Sequence, residues 1–104
     1  GLLPAAAVPG MVDAWHARNV AMARRILQAL EQAPQVVVIV GRGHQAPGGL
    51  ADQVEALKSG TSQLAVDFVE VGTEEPDQAP PGNHIVRPTP SVERPDPCAP
   101  LRNR

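Results

Sequence analysis

Aromatic residues are almost absent from this sequence of 104 residues, in which Trp15 and Phe68 stand alone and tyrosine is missing. A hydrophobic core must therefore be built from Val, Leu, Ile, Ala and Met. A small aliphatic core of this kind is marginal by itself. The single cysteine, Cys98, has no partner for an internal disulfide. Cysteine content therefore does not indicate a redox compartment.

An excess of charge of one sign is also missing. The nine basic and eleven acidic residues are interspersed and give a net charge of -2, so there is no basic surface for nucleic acid or anionic lipid. No apolar run is long enough to predict a transmembrane segment. Residues 1–10 are apolar and irregular, with two prolines and no basic leader of a secretory signal. The opening on Gly1 suggests a trimmed chain whose precursor could have carried a targeting segment.

A helix followed by a strand is predicted in the first half of the chain. From Met11 to Ala33, apolar residues recur at three-, four- and seven-residue spacings, which is typical of an amphipathic helix. Pro34 should end this helix, because the residue before a proline is disfavoured in the α region. The β-branched run Val36–Val40 has no polar alternation, which predicts a central parallel strand buried on both faces.

A second helix and a second strand are predicted after a loop at residues 41–49. Residues 50–57 carry apolar side chains on one helical face, and Gly60 offers the left-handed residue that closes a helix. Alternation from Gln63 to Val71 indicates a strand. Strand, crossover helix and strand together predict a βαβ unit with parallel strands, and hence an α/β fold.

The chain divides into three predicted segments: an irregular stretch (1–10), an α/β part (11–72) and a proline-rich tail (73–104). The tail is expected to be disordered or to lie as an extended strap over a neighbouring surface. Two strands and two helices cannot cover both faces of a sheet. We therefore expect the C-terminal portion of a larger three-layer domain, completed by the rest of that domain, by another chain or by self-association into a homo-oligomer.

The loop Gly41-Arg42-Gly43-His44 follows the predicted central strand, at the sheet edge where open α/β folds bind ligands. Its glycines allow close approach of backbone to a ligand, and His44 offers an imidazole nitrogen to a metal or haem iron, or for acid–base chemistry. A histidine that only fills the loop is the alternative. The loop lacks the Lys-Ser/Thr of a P-loop and the third glycine of a dinucleotide fingerprint, which excludes nucleotide binding.

The helix with Ala21-Met22-Ala23, the valine-rich segment and the Gly-Arg-Gly-His turn together resemble the C-terminal half of the ChaN-like haem-binding uptake proteins, over roughly residues 18–71. That family is related to the Tiki, TraB and erythromycin-esterase proteins, in which a Gly-x-x-His motif recurs. Gly41 and His44 match the motif. The resemblance implies a haem-binding protein of bacterial haem and iron uptake, in a family that includes lipoproteins. It also implies a cell-envelope or periplasmic location, and binding and delivery rather than catalysis.

The resemblance further implies that the ligand-binding residues are Gly41, Arg42, Gly43 and His44. A known ChaN-like protein binds haem through a tyrosine, which this chain lacks, so the iron ligand here would be His44. Weaker candidates are His16, His84, Cys98 and the methionines. Arg42 is expected either to pair with a haem propionate or to lie in solvent.

Two other functions stay open. One is a metal-dependent hydrolase of the Tiki and erythromycin-esterase kind, in which His44 binds a divalent metal or acts as a base. The other is a structural fragment that adds a βαβ edge to a partner without any ligand. Among the remaining residues, Trp15 is expected to be a core anchor, and Asp67 and Glu70 are expected to be surface charges.

Overall fold

The computed structural model describes residues 4–70 and 83–102. Its helices and strands make an α/β structure with a parallel pair of strands, so the predicted fold class is confirmed. Within the described part of the chain, no helix has the length and apolarity needed to cross a membrane. The elements are α1 (Val8–Leu30), α2 (Leu50–Leu57), β1 (Leu64–Glu70), β2 (Asn83–Thr89) and α3 (Ala99–Arg102), with 3₁₀ turns at Ala5–Ala7 and Arg42–Gln45.

Helix α1 begins at Val8, so the prediction that residues 8–10 are irregular is wrong. Pro9 lies in the first helical turn, where a missing N–H costs nothing because that group has no partner within the helix. The helix ends at Leu30, three residues before the predicted end. A turn follows in which the Gln32 N–H donates to the Ala29 carbonyl over 3.0 Å, and Pro34 stands just beyond it.

The prediction of a central strand at Val36–Val40 is wrong for the part of the chain that the structure describes. The segment is in neither strand of the sheet. Burial on both faces was expected, but Val37 and Ile39 are 80% and 94% exposed. A strand needs a neighbour whose N–H and C=O groups complete the ladder, and β-branched residues do not supply that neighbour themselves. The parallel partner of β1 is β2, in place of the Val36–Val40 segment.

Strand β1 lies within the predicted range 63–71 and pairs in parallel with β2, in a register that runs from Leu64 opposite Asn83 to Glu70 opposite Thr89. The sequence did not predict β2, which falls in the proline-rich segment. Pro88 can lie in β2 because, among the described residues, β2 pairs only with β1, and such a strand does not need every N–H for the ladder. Residues 1–3, 71–82 and 103–104 lie outside the described residues, and these include Val71 at the end of the predicted strand and part of the predicted tail.

The core lies between α1 and α2 and is small and aliphatic. Ala23, Leu50 and Val54 are buried there, and the partly buried residues packed against them are Met22, Ile26, Leu27 and Val40. As predicted, α2 buries one apolar face, and Gly60 beyond it has φ +79°. Val40, directly before the 41–49 loop, is thus held against the core between α1 and α2. Completion of the sheet by further strands stays a prediction.

Candidate functional site

The predicted ligand loop is a compact turn between the Val36–Val40 segment and α2. Gly41 is extended (φ -65°, ψ 146°), and the 3₁₀ turn Arg42–Gln45 follows it directly. The His44 N–H donates to the Gly41 carbonyl over 2.9 Å. This hydrogen bond folds the chain back toward α1, so that His44 is partly buried although Gly41 and Gly43 are exposed.

The His44 side chain contacts a buried amide of α1. Its Nδ1 lies 2.9 Å from Oδ1 of Asn19, and the Asn19 side chain is fully buried. The other end of that amide is also bonded, because Nδ2 of Asn19 donates to the Trp15 carbonyl over 3.0 Å. His44 is therefore held by a side chain whose own orientation is fixed by the helix.

Trp15 is a second contact from α1 to the turn. Its indole Nε1 donates to the Gly43 carbonyl over 3.2 Å. The ring is only half-buried, so the prediction that Trp15 is a core anchor is wrong. The exposed His16 ring meets Trp15 edge-on, with ring centroids 4.8 Å apart and an interplanar angle of 71°. Trp15 and Asn19 lie one helical turn apart, so a single stripe of α1 holds both the backbone of the turn and its histidine.

Two glycines fix the path from His44 into α2. Gly48 has φ +75°, which residues with a Cβ rarely adopt, and its N–H donates to Oδ2 of Asp52 over 2.5 Å. Gly49 is buried, and a Cβ there would lie 2.4 Å from the His44 carbonyl oxygen and 2.6 Å from that of Ala46. Only glycine allows the backbone to pass so close to the turn.

Arg42 joins the turn to the sheet. Its Nε lies 3.2 Å from Oδ2 of Asp67 on β1, with the two side chains 44% and 6% exposed. The prediction that Asp67 is a surface charge is therefore wrong: it lies on the buried face of β1 with Val69, whereas Leu64 and Phe68 are exposed. A buried carboxylate needs such a partner, because burial without one is costly.

Of the weaker ligand candidates, His16 lies beside the loop, because a Cβ at Gly48 would meet its Cε1 at 3.6 Å. Cys98 is exposed after β2, and Met22 packs against the core. His84 lies in β2, and its side chain is outside the described set. Within residues 4–70 and 83–102, no group of three or more His, Cys, Asp or Glu residues could hold a metal ion.

An open apolar groove of about 390 Å³ runs between α1 and the segment before the turn. Its wall on the segment side ends at Val40, next to Gly41, and Arg25 contributes a cationic group from α1. The groove is lined by Ala21, Met22, Arg25, Ile26, Val38, Ile39 and Val40.

Asn19 and Gly49 were missed by the sequence reasoning. The signal for Asn19 was a lone amide on the apolar stripe of α1, four residues from both Trp15 and Ala23, where an uncompensated polar group is costly. Gly49 had no comparable signal, because its close contacts depend on the fold of the turn.

The fold and the site define an α/β chain in which one helix holds a Gly-x-x-His turn. The chain belongs to the ChaN family of haem-binding uptake proteins in the Tiki superfamily, whose family model matches residues 2–54, just over half of the chain. The match includes α1, the turn with His44 and α2 as far as Val54. It confirms the predicted family, although it starts earlier and ends earlier than the expected 18–71. No curated protein and no solved structure matches the chain.

Proposed function

We propose that this chain binds haem in haem or iron uptake, with Nε2 of His44 as the iron ligand and binding and delivery as its role. The family that the chain belongs to supports haem as the ligand. The observation that carries the choice of residue is the hydrogen bond between Nδ1 of His44 and the buried Asn19.

Imidazole is a common axial ligand of haem iron, and a ligating histidine usually donates its second ring N–H to a protein acceptor. His44 has that arrangement, because Nδ1 faces an amide oxygen 2.9 Å away. No hydrogen bond to its Nε2 is found from any side chain or backbone group in residues 4–70 and 83–102. The donor set therefore fits haem iron.

The surroundings of His44 suit a flat apolar ligand that carries carboxylates. A Cβ at Gly41 or Gly43 would meet no atom within 4 Å, so ligand atoms can approach the backbone of the turn. The groove that begins at Val40 is apolar, and its volume of about 390 Å³ lies within the range of small-molecule sites. Arg25 and the partly exposed Arg42 are the guanidinium groups that could pair with propionates.

A haemin titration followed by absorbance tests the proposal. The wild-type protein should give a saturable Soret change, and His44→Ala should weaken binding at least about tenfold, because a histidine that binds the iron contributes more than about 1.4 kcal/mol. His16→Ala is the matched control, since it removes an exposed histidine of α1 and should bind like the wild type. Equal affinity of wild type and His44→Ala would contradict His44 as the ligand, and no saturable change would favour a structural role.

A further inference from the structure

We infer that Asn19 is a positioning residue: it holds His44 in the tautomer whose proton is on Nδ1, and so presents the lone pair of Nε2 to a ligand. The identity of that ligand rests on the proposed function. The tautomer and its cause are properties of the chain alone and are argued from α1 and the turn.

Asn19 occupies a place where an amide is otherwise unfavourable. It lies in the middle of α1 and is 0% exposed, although asparagine is a poor helix former and a buried amide without partners is costly. Both ends of the amide are bonded, one to the Trp15 carbonyl and the other to His44. The contact with His44 therefore offsets a cost that an apolar residue would not have.

The helix decides which end of the amide faces the histidine. The Trp15 carbonyl is an acceptor only, so the atom 3.0 Å from it must be the NH₂ group of Asn19. A flipped amide would place two oxygens against each other at that distance. The Asn19 oxygen therefore faces Nδ1 of His44 at 2.9 Å, and Nδ1 must carry the proton that is donated.

The consequence for His44 is that the lone pair of the neutral ring lies on Nε2. A ring without such an acceptor distributes its proton between the two nitrogens, and only one of the two forms can ligate through Nε2. Donation from Nδ1 also raises the basicity of the ring as a ligand. Asn19 thus both orients the ring and prepares the nitrogen that binds.

This role can be separated from support of the turn itself. The backbone is held independently by the hydrogen bond from Trp15 to the Gly43 carbonyl and by the bond between the His44 N–H and Gly41. Removal of the Asn19 amide should therefore change the state of the ring while the turn keeps its path.

The test uses the haem-free full chain labelled with ¹⁵N-histidine, whose His44 tautomer is measured by NMR. The wild type should show Nδ1–H, and Asn19→Leu should show a mixture of tautomers. Asn19→Asp keeps an acceptor oxygen toward the ring and should keep Nδ1–H. If Asn19→Leu does not fold, the tautomers of the wild type and of Asn19→Asp decide the matter.

A wild-type ring protonated only at Nε2 would overturn the inference, as would an Asn19→Leu variant with an unchanged tautomer. Haemin titration is the second measurement: Asn19→Leu should lose about 10- to 100-fold in affinity, the usual effect of removing the partner of a ligating histidine. An Nδ1–H tautomer together with haemin binding that is insensitive to His44→Ala would refute the proposed function and leave the role of Asn19 intact.

Discussion

Replacement of Gly49 by alanine should disrupt the link between the His44 turn and α2. The new Cβ would lie 2.4 Å from the His44 carbonyl oxygen and 2.6 Å from the Ala46 carbonyl oxygen. Both contacts are with backbone, so no side chain can rotate away. The Ala46 carbonyl also accepts the Gly49 N–H over 2.8 Å, and this hydrogen bond would stretch when the chain moves.

The expected cost follows from these two effects. Overpacking of a close-packed site costs about 1–3 kcal/mol, and the weakened hydrogen bond adds about 1 kcal/mol. Gly49→Ala should therefore lower the free energy of unfolding by about 2–4 kcal/mol. In a chain of this size, the midpoint of thermal unfolding would fall by about 8 °C or more.

Urea unfolding followed by the fluorescence of Trp15, the single tryptophan, measures this change. Gly43→Ala is the matched control, because a Cβ there meets no atom within 4 Å and should alter stability by no more than about 0.5 kcal/mol. Equal stability of the Gly49→Ala and Gly43→Ala variants would refute the close packing of the turn against the start of α2.

Three further predictions concern charge and ligand approach. The Arg94 guanidinium bonded to Glu70 lowers the pKa of that carboxyl below its usual 4.5. The stability that the ionised Glu70 contributes is therefore fully present above about pH 4.5 and is lost as pH falls through the lowered pKa. Amide protection factors of β1 and β2 should drop in that acid range, and less so in Glu70→Gln. Arg42→Met leaves the Asp67 carboxylate buried without its partner and should lower the free energy of unfolding by about 1–2 kcal/mol. In a double-mutant cycle measured by urea unfolding, Arg42→Met/Asp67→Asn should recover part of that loss. Gly43→Ala should lower haemin affinity about tenfold in an absorbance titration without loss of stability, whereas unchanged affinity would place the ligand away from this backbone.

The parts of the fold that depend on local patterning were predictable. Helix α2 and strand β1 follow from spacing of apolar residues within each segment, and the α/β class follows from their order. The strand at Val36–Val40 was not correctly predicted, because residue type indicates an extended chain but not whether a partner strand is present. Strand β2 contains Pro88 and is specified by its register with β1, which no local pattern encodes.

The candidate site was predictable only in its central residue. Glycine-flanked His44 stands out in the sequence, but Asn19 contacts it across 25 positions, and Asp67 reaches Arg42 across a similar distance along the chain. Such pairs are produced by the packing of α1 and β1 around the turn. The sequence therefore indicated the residue that we propose as the ligand, and the fold identifies the residues that contact it and its turn.

The proposed function requires a bond between iron and His44. Resonance Raman spectra of the ferrous haem complex, with and without ¹⁵N-histidine labelling, test for this bond. We expect an iron–imidazole stretching band that shifts on labelling, disappears in His44→Ala and persists in His16→Ala. A band that survives in His44→Ala, or a saturated haem complex without any band sensitive to histidine labelling, would contradict it.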